Sequence, residues 1–293
     1  MSVVDEVAYS RRGAADLCVS MVSGQSTLTT CYSSSPLKLL APTSRGLSVW
    51  AYLSNLGGGL VAGDETQFHC RVEAGARCFV GTQSSTKVYR NPERRPCTHL
   101  SRAVLQEGSL LVMAPDPVQG FADSSYSQSQ SFHLEKTASL VLVDWFTSGR
   151  MARGERWAFH RLQSRNEVWM TSATSPDTQS SGSGQTLVFL DSLTLDSSKH
   201  NLHSAHRLGR FNCIALVLLL GPLVGEGVAQ MLNSVAQQPV PTAATLCLSA
   251  SPLAGGALLR IAGVNTRDVG REIERHLAFI PPLLGDNPWA RRF

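Results

Sequence analysis

Asp64, Thr86, Lys87, Tyr89 and Arg90 open a series of polar residues that runs on through Asp116, Asp123, Asp144, Arg150, Arg153 and Glu155, and "SRNEV" adds Arg165 and Glu167. Carboxylates, guanidinium groups and hydroxyls in such company can neutralise one another, line a water-filled passage, or act as acid and base. Taken singly, each reads equally well as half of a solvated surface ion pair. Asp144 differs because it follows "SLVLV", a run apolar on both faces. Its carboxylate is expected to be partly buried, where an unpaired charge is costly, and Arg150 or Arg153 is the expected partner.

The glycine-rich stretch "NLGGGLVAGDETQF", Asn55 to Phe68, raises the alternative of a phosphate-binding loop. A P-loop places Lys and then Ser or Thr after its last glycine, at a helix N-terminus. Here Asp64 and Glu65 follow Gly63, two charges that would repel a polyphosphate. "ETQFHCRV" then alternates, with Thr66, Phe68, Cys70 and Val72 on one face, as a half-buried strand does. The glycines therefore lead into a strand, and point to a tight backbone crossing or to positive φ.

Other chemistry is weakly signalled. His200, His203 and His206 stand three residues apart, a spacing that can share a metal on a helix, but the surrounding "LDSSKHNLHSAH" carries little apolar pattern and reads as a loop insertion. The sequence contains no G-x-S-x-G, no H-E-x-x-H and no H-x-E with a cysteine pair, and "TSGR" with a nearby Asp falls short of a triad. Seven cysteines, none in C-x-x-C spacing, indicate neither a disulfide framework nor a zinc knuckle. Cys70 and Cys78 are expected to face each other across a turn at Gly75 as packing thiols.

The elements that must position these residues are mostly strands. Expected strands are Ala15 to Val22, Thr27 to Ser33, Leu47 to Leu53, Glu65 to Val72, Arg77 to Gly81, His99 to Leu105, Leu110 to Ala114, Tyr126 to Leu134, Leu140 to Phe146, Arg156 to Leu162, Glu167 to Thr171, Thr186 to Leu190, Ile214 to Leu220, Thr245 to Ser249 and Ala257 to Ile261. Two segments in the C-terminal half carry a helical period. In "PLVGEGVAQMLNSVAQQ", Val224, Val228, Met231, Leu232 and Val235 share a face; in "TRDVGREIERHLAFIPP", Val269, Ile273, Leu277 and Ile280 do, with Thr266 as the expected cap and Pro281 as the stop.

A turn, an apolar strand and a polar loop occur in that order three times, in "EAGARCFVGTQSSTKVYR", "QEGSLLVMAPDPVQGFADS" and "EKTASLVLVDWFTSGRMARGE", with turn positions Gly75, Gly108 and Thr137 spaced 33 and 29 residues apart. Such a period predicts stacked coils that bury their apolar faces against one another. The expected fold is therefore all-β dominated, with β-helix-like stacked strands and two helices. Stacked in register, the three loops emerge on one edge, and Thr86, Asp116 and Asp144 fall along it.

At 43% hydrophobic and 16% charged residues the chain is neither disordered nor membrane-embedded. Its longest apolar run, "CIALVLLLGPLV", is too short to span a bilayer. A formal charge of +4 does not mark a nucleic-acid binder. No apolar segment follows basic residues at the N-terminus, so a cytoplasmic location is expected. We expect one domain over residues 1–293, with flexible insertions at 172–185 and 197–207; the first, "SATSPDTQSSGSGQ", is too poor in apolar residues to hold a fixed shape and is expected to join two strands.

"PLKLLAP", "NLGGGLVAGD", "GTQSSTKVYR", "APDPVQGFADSSYSQ", "VDWFTSGRMARGERWAF", "SRNEV", "LLLGP" and "LLRIAGVNTRDVGREIERHLAFIPPLLGDNPWARRF" together resemble the urease accessory protein family UreD, called UreH in some organisms. The resemblance runs from about Pro36 to Phe293, with Gly81 where a threonine is frequent and Ala114 where a leucine is frequent. It implies a β-helical protein that is not an enzyme, binds UreF, recruits the GTPase UreG with it, and docks on urease apoprotein while Ni²⁺ is delivered. No tightly bound cofactor is implied, and the nucleotide loop belongs to the partner. Asp64, Asp144, Glu155 and Glu167 are then candidate carboxylates of a transient nickel path. Trp289, with Arg291 and Arg292, is a candidate partner anchor; alternatively Trp289 folds back onto Ile273, Leu277 and Ile280. An enzyme centred on Asp64, Asp144 and Arg150, or a β-helical scaffold unrelated to metal, are the rival readings.

Overall fold

The computed structural model describes residues 12–43, 46–171, 184–239 and 241–290. In chain order its strands are β1 (Arg12–Val22), β2 (Gln25–Ser33), β3 (Leu37–Leu40), β4 (Val49–Asn55), β5 (Glu65–Val72), β6 (Arg77–Thr82), β7 (Thr86–Val88), β8 (Cys97–Leu105), β9 (Leu110–Met113), β10 (Val118–Gly120), β11 (Ser125–Leu134), β12 (Ser139–Thr147), β13 (Arg161–Thr171), β14 (Gln185–Asp196) and β15 (Cys213–Leu220). Helix α1 (Gly225–Ala236) precedes β16 (Leu246–Leu253) and β17 (Gly256–Gly263), and α2 (Thr266–His276) and α3 (Ile280–Leu284) follow.

The repeated turn and strand pattern becomes a β-solenoid-like stack. The chain passes from β5 to β6, from β8 to β9 and from β11 to β12, each time crossing from one sheet to the other. β5, β8, β11 and β13 pair in parallel in the first sheet, and β6, β9 and β12 do so in the second. The turns stack as well: Gly75 N donates to the Glu107 carbonyl at 2.9 Å, and Gly108 N to Thr137 Oγ1 at 2.9 Å. Gly75 and Gly108 have φ of 70° and 65°, a conformation that favours glycine. Antiparallel strands extend both sheets, giving the orders β14-β13-β11-β8-β5-β1-β2 and β16-β17-β15-β12-β9-β6-β4-β3.

One apolar core fills the space between the sheets, with Phe68, Leu105, Phe132, Leu140 and Leu218 among its members. Cys70 and Cys78 are buried there, and the Cys78 thiol, hydrogen bonded to Cys70 and removed from water, is pushed well above its usual range. The helices cover the outer face of the second sheet, where Val269 and Ile273 of α2 and Ile280 and Leu284 of α3 pack with Val143, Trp145 and Val217.

Several elements differ from the sequence expectation. There are three helices among the described residues, because Pro281 opens α3 instead of closing α2; a proline in the first helical turn gives up an N–H that has no partner there anyway. Asn265, not Thr266, caps α2 by accepting from Arg267 N at 2.8 Å. Of the strands expected at Arg156 to Leu162 and Glu167 to Thr171, Arg156 to His160 are irregular, and one strand, β13, runs from Arg161 through Thr171. Most of the serine-rich segment lies outside the described residues, but β13 and β14 on either side of it pair antiparallel, as its reading as a strand connection requires.

Candidate functional site

The inward faces of the two sheets change character along the strands. In the first sheet Val72 and Leu105 stand in register, as do Cys70 and Ala103, and both rows are apolar. Farther from the turns the rows become polar. Thr66, His99, Gln128 and Ser164 are register partners across β5, β8, β11 and β13, and Ser101, Gln130 and Asn166 form the next row. The second sheet changes at the same level, where Leu140 and Leu142 give way to Asp144 on β12, and Val80 to Thr82 on β6. The interior thus has a dry half beside the turns and a wet half at the opposite end.

Asp144 is 6% exposed and crosses from the second sheet to the polar rows of the first. Its Oδ1 accepts from Gln128 Nε2 at 2.7 Å, and its Oδ2 from Ser164 Oγ at 2.6 Å and Asn166 Nδ2 at 2.8 Å. Gln128 also donates to Ser164 Oγ, and Gln130 to Asn166 Oδ1, both at 2.9 Å. Burial drives the Asp144 carboxyl upward from its ordinary range, and the three donors oppose that rise. The expected guanidinium partner is therefore a correction: neutral donors hold this carboxylate, and Arg150 is engaged by Glu155, with Nε to Oε2 at 2.9 Å, while its guanidinium lies over the Phe121 ring.

An internal cavity of about 60 Å³ runs beside this network, lined by Thr66, Thr82, Thr86, His99, Asp116, Gln128, Gln130 and Asp144 together with apolar side chains. That volume admits a few waters. His99 bridges two hydroxyls, Thr66 Oγ1 on Nδ1 and Ser101 Oγ on Nε2, both at 2.8 Å. Burial lowers its pKa to about 4, so the imidazole is neutral at pH 7. On the other side, Asp144 lines a larger cleft of about 400 Å³ with Asp191, Leu193, Cys247 and Arg260. Arg260 Nη2 meets Asp191 Oδ1 at 3.1 Å, and the Asp191 charge adds to the upward push on Asp144. Asp144 is thus the wall shared by an inner cavity and an outer cleft.

The seam read from the sequence divides in two. Thr86, Asp116 and Asp144 come together around the inner cavity, with Thr82 Oγ1 accepting from Asp116 N at 2.7 Å. The remaining members lie outside it. Arg90 pairs with Asp123 at 3.0 Å, Arg165 pairs with Glu167 on the outer face of β13, Glu155 is held by Arg150 and by Ala122 N, and Lys87 and Arg153 are exposed. Asp64 is 3% exposed but closes the glycine turn, its Oδ2 accepting from Val61 N at 2.9 Å. The neighbouring Cys97 thiol is pushed up to about 11, chiefly by its own burial and then by the Asp64 charge. Both expectations for the glycines hold: Gly57, Gly58 and Gly63 have positive φ, and Gly59 passes so close to the next coil that a Cβ would stand 2.6 Å from the Lys87 carbonyl oxygen. Tyr89 belongs to the same crossing, its hydroxyl donating to the Gly57 carbonyl at 3.3 Å.

Sequence reasoning missed the polar rows Thr66, His99, Ser101, Gln128, Gln130, Ser164 and Asn166. The signal was present in "SYSQSQSF" and "RLQSRNEVWM", where the face that begins and ends with Tyr126 and Phe132, or Leu162 and Val168, is polar in its middle. His200, His203 and His206 stand in a turn-rich segment, and no group of three metal-ligating side chains occurs among the described residues. No helix among the described residues is long and apolar enough to cross a membrane.

Arg291 and Arg292 lie outside the described residues. Trp289 takes the folded-back alternative: its ring lies 6.1 Å from that of Phe79 and packs with the cluster that holds Ile273, Leu277 and Ile280. Trp289→Ala is accordingly expected to lower the stability of the isolated chain by about 2 kcal/mol, less than full burial of a tryptophan would imply because the ring is half-buried. Chemical denaturation of the two proteins checks this, and an unchanged midpoint would contradict the packing role.

The family model described as UreD urease accessory protein matches residues 11–293. Among curated relatives, "Urease accessory protein UreD" of Sorangium cellulosum is 41% identical over 97% of this chain and 85% of its own length. "Urease accessory protein D" of Arabidopsis thaliana is 32% identical over 93% and 98%, and that of Oryza sativa subsp. indica 32% over 92% and 93%. With a match over nearly its whole length and relatives of this similarity in bacteria and plants, the chain belongs to the UreD family of urease accessory proteins.

Proposed function

We propose that this chain is a non-catalytic urease maturation chaperone that acts with UreF and UreG, docks on urease apoprotein in the cytoplasm, and carries Ni²⁺ as cargo through the polar half of its solenoid. The observation behind this reading is the placement of Asp144, a buried carboxylate held only by neutral donors, between the inner cavity and the outer cleft. A carrier must release its ion. Hydroxyl, amide and carboxylate oxygens hold a borderline divalent cation more loosely than a thiolate or histidine cage would. Asp144 supplies the negative charge that a desolvating cation needs, while Thr82, Thr86 and Asp116 offer oxygens at the other side of the cavity.

The test uses urease matured with Thr86→Val or Asp116→Asn in place of the native chain. Neither change disturbs the apolar core, so complexes with UreF, UreG and urease should still form. Under limiting nickel the urease produced should contain less metal, and excess nickel should restore it. Full nickel loading by both variants at limiting metal would sink the path, and loss of the complexes would show that these side chains serve assembly instead.

A further inference from the structure

The two sheets end level on one side of the molecule and unevenly on the other. On the level side the outermost strands, β2 and β3, pack against each other. On the uneven side β14 ends the first sheet, whereas β17 and then β16 end the second. β14 reaches across to β17, where Asp191 Oδ1 meets Arg260 Nη2 at 3.1 Å. β16 lies one strand farther out, and among the described residues no strand stands opposite it. Its inward side is small and bare. Cys247, Ser249 and Ser251 are register partners of Ala262, Arg260 and Leu258, which face the first sheet, and Ser249 and Ser251 are exposed. Leu246 and Ala250 pack instead on the helix side. The space beside Cys247 and Ser249 is the outer cleft of about 400 Å³, with Leu193, Ile214 and Leu216 among its apolar walls.

β14 is itself an open edge. Its 12 residues, "QTLVFLDSLTLD", include no proline, glycine, lysine or arginine, the residues that commonly blunt such edges, and one bulge at Val188 is its single irregularity against β13. Among the described residues its backbone pairs with β13 alone, so about half of its N–H and C=O groups are left for another strand. Leu187 and Leu190, 38% and 47% exposed, stand on its outer face beside Trp169 and Glu167.

We infer that β14 receives one extended segment of a partner protein in the maturation complex, which adds a strand to the first sheet, lies over the inward side of β16 and roofs the outer cleft. Strand addition takes its affinity from main-chain hydrogen bonds and its selectivity from alternate side chains. Those that face the cleft meet Leu193, Ile214, Leu216 and Cys247, and are apolar. Asp191 and Asp196 are the only charged residues of β14 and β16, so the segment carries no carboxylate there. A second copy of this chain does not fit. Joining β14 to its counterpart in one continuous sheet would bring the β16 of each copy onto the β17 of the other. That the partner belongs to the maturation complex rests on the role proposed above; the open edge does not.

The test measures hydrogen exchange of residues 185–196 by mass spectrometry, in the full chain alone and in its complex with UreF, UreG and urease apoprotein. Alone, about half of these amides should exchange fast at every protein concentration; in the complex they should slow by at least about tenfold. Ser249→Trp fills the cleft from an exposed position, so its melting temperature should stay level while the slowing is lost. If that variant fails to fold, the native complex still decides. A complex that assembles with β14 exchange unchanged overturns the inference and leaves the maturation role standing, and slowing that persists in the folded variant overturns it as well. Slow exchange in the isolated chain does the same, marking a second copy on the edge if it fades on dilution and the chain's own residues if it does not. If no complex assembles, the maturation role fails and a lysine-flanked peptide of alternating threonine and valine decides. That peptide should slow the same amides saturably, its counterpart with a central proline should not, and equal effects of the two would overturn strand addition at β14.

Discussion

Asp144→Ala is expected to lower the stability of the protein by about 3 to 5 kcal/mol, whereas Asp144→Asn should leave it within about 1 kcal/mol of the native chain at pH 7. The alanine variant leaves Gln128, Ser164 and Asn166 with donors aimed at nothing, inside a cavity that admits only a few waters. Asparagine keeps a carbonyl oxygen for Ser164 and Asn166 and forfeits only the bond from Gln128, and it removes a charge that burial disfavours. The sign of the pH dependence follows from the upward shift. A carboxyl raised in the folded state contributes most when protonated, and that contribution is lost as pH rises from the ordinary carboxylate range through the raised value. Asparagine has no proton to lose, so the stability difference between native chain and variant should move in the variant's favour with rising pH over that window. Denaturation midpoints at several pH values read both effects. Functionally the asparagine variant is the sharper probe, since it keeps the fold and deletes the charge: urease matured with it under limiting nickel should be nickel-poor. A fully loaded enzyme would remove Asp144 from the path.

The second large effect is acid sensitivity at His99. Its pKa falls from 6.5 to about 4 in the folded chain, because charging it would put a cation among groups that burial keeps from water. A histidine depressed in this way contributes stability that is complete above its unfolded pKa and is lost as pH falls through the interval between 6.5 and 4. Its loss amounts to up to about 3 kcal/mol. His276 shifts in the same direction, from burial and from Arg275, so the contribution of His99 is read as a difference. His99→Gln keeps an amide between Thr66 and Ser101 and cannot be protonated. It should flatten the decline between pH 6.5 and 4 relative to the native chain, and parallel curves for the two proteins would exclude His99 as the cause.

The stacked architecture was legible because its signal is repeated. Three turns at Gly75, Gly108 and Thr137, each followed by an apolar strand, are difficult to reconcile with any arrangement but successive coils. Thr86, Asp116 and Asp144 could be aligned for the same reason. What could not be read was the direction in which other polar residues face. A strand that alternates gives two faces, and the usual inference assigns the more apolar one to the interior. In β11 and β13 the interior face is itself polar at its middle, so nothing in the pattern marked Gln128 and Asn166 as interior, while Arg165 and Glu167 drew attention. The partner of Asp144 was misassigned on the same ground: opposite charge is visible in a sequence, whereas three neutral donors arriving from β11 and β13 are visible only once register is known. Trp289 was undecided because its neighbours in the chain say nothing about Phe79, which lies far back in the sequence.

The closure at the C-terminus has a consequence for synthesis. Arg77 Nη1 donates to the Leu283 carbonyl at 2.5 Å, and Ser48 Oγ to the Leu284 carbonyl at 2.9 Å, partners that are 206 and 236 residues apart. α3 and Trp289 are also what covers Phe79 and its neighbours on the outer face of the second sheet. On a ribosome that adds about 5 to 20 residues per second, the early coils therefore wait roughly 10 to 40 seconds for the segment that shields them. During that interval a growing chain carries Trp50, Tyr52 and Phe79 bare on the second sheet, and whatever holds nascent chains apart must act before the last few dozen residues have been made.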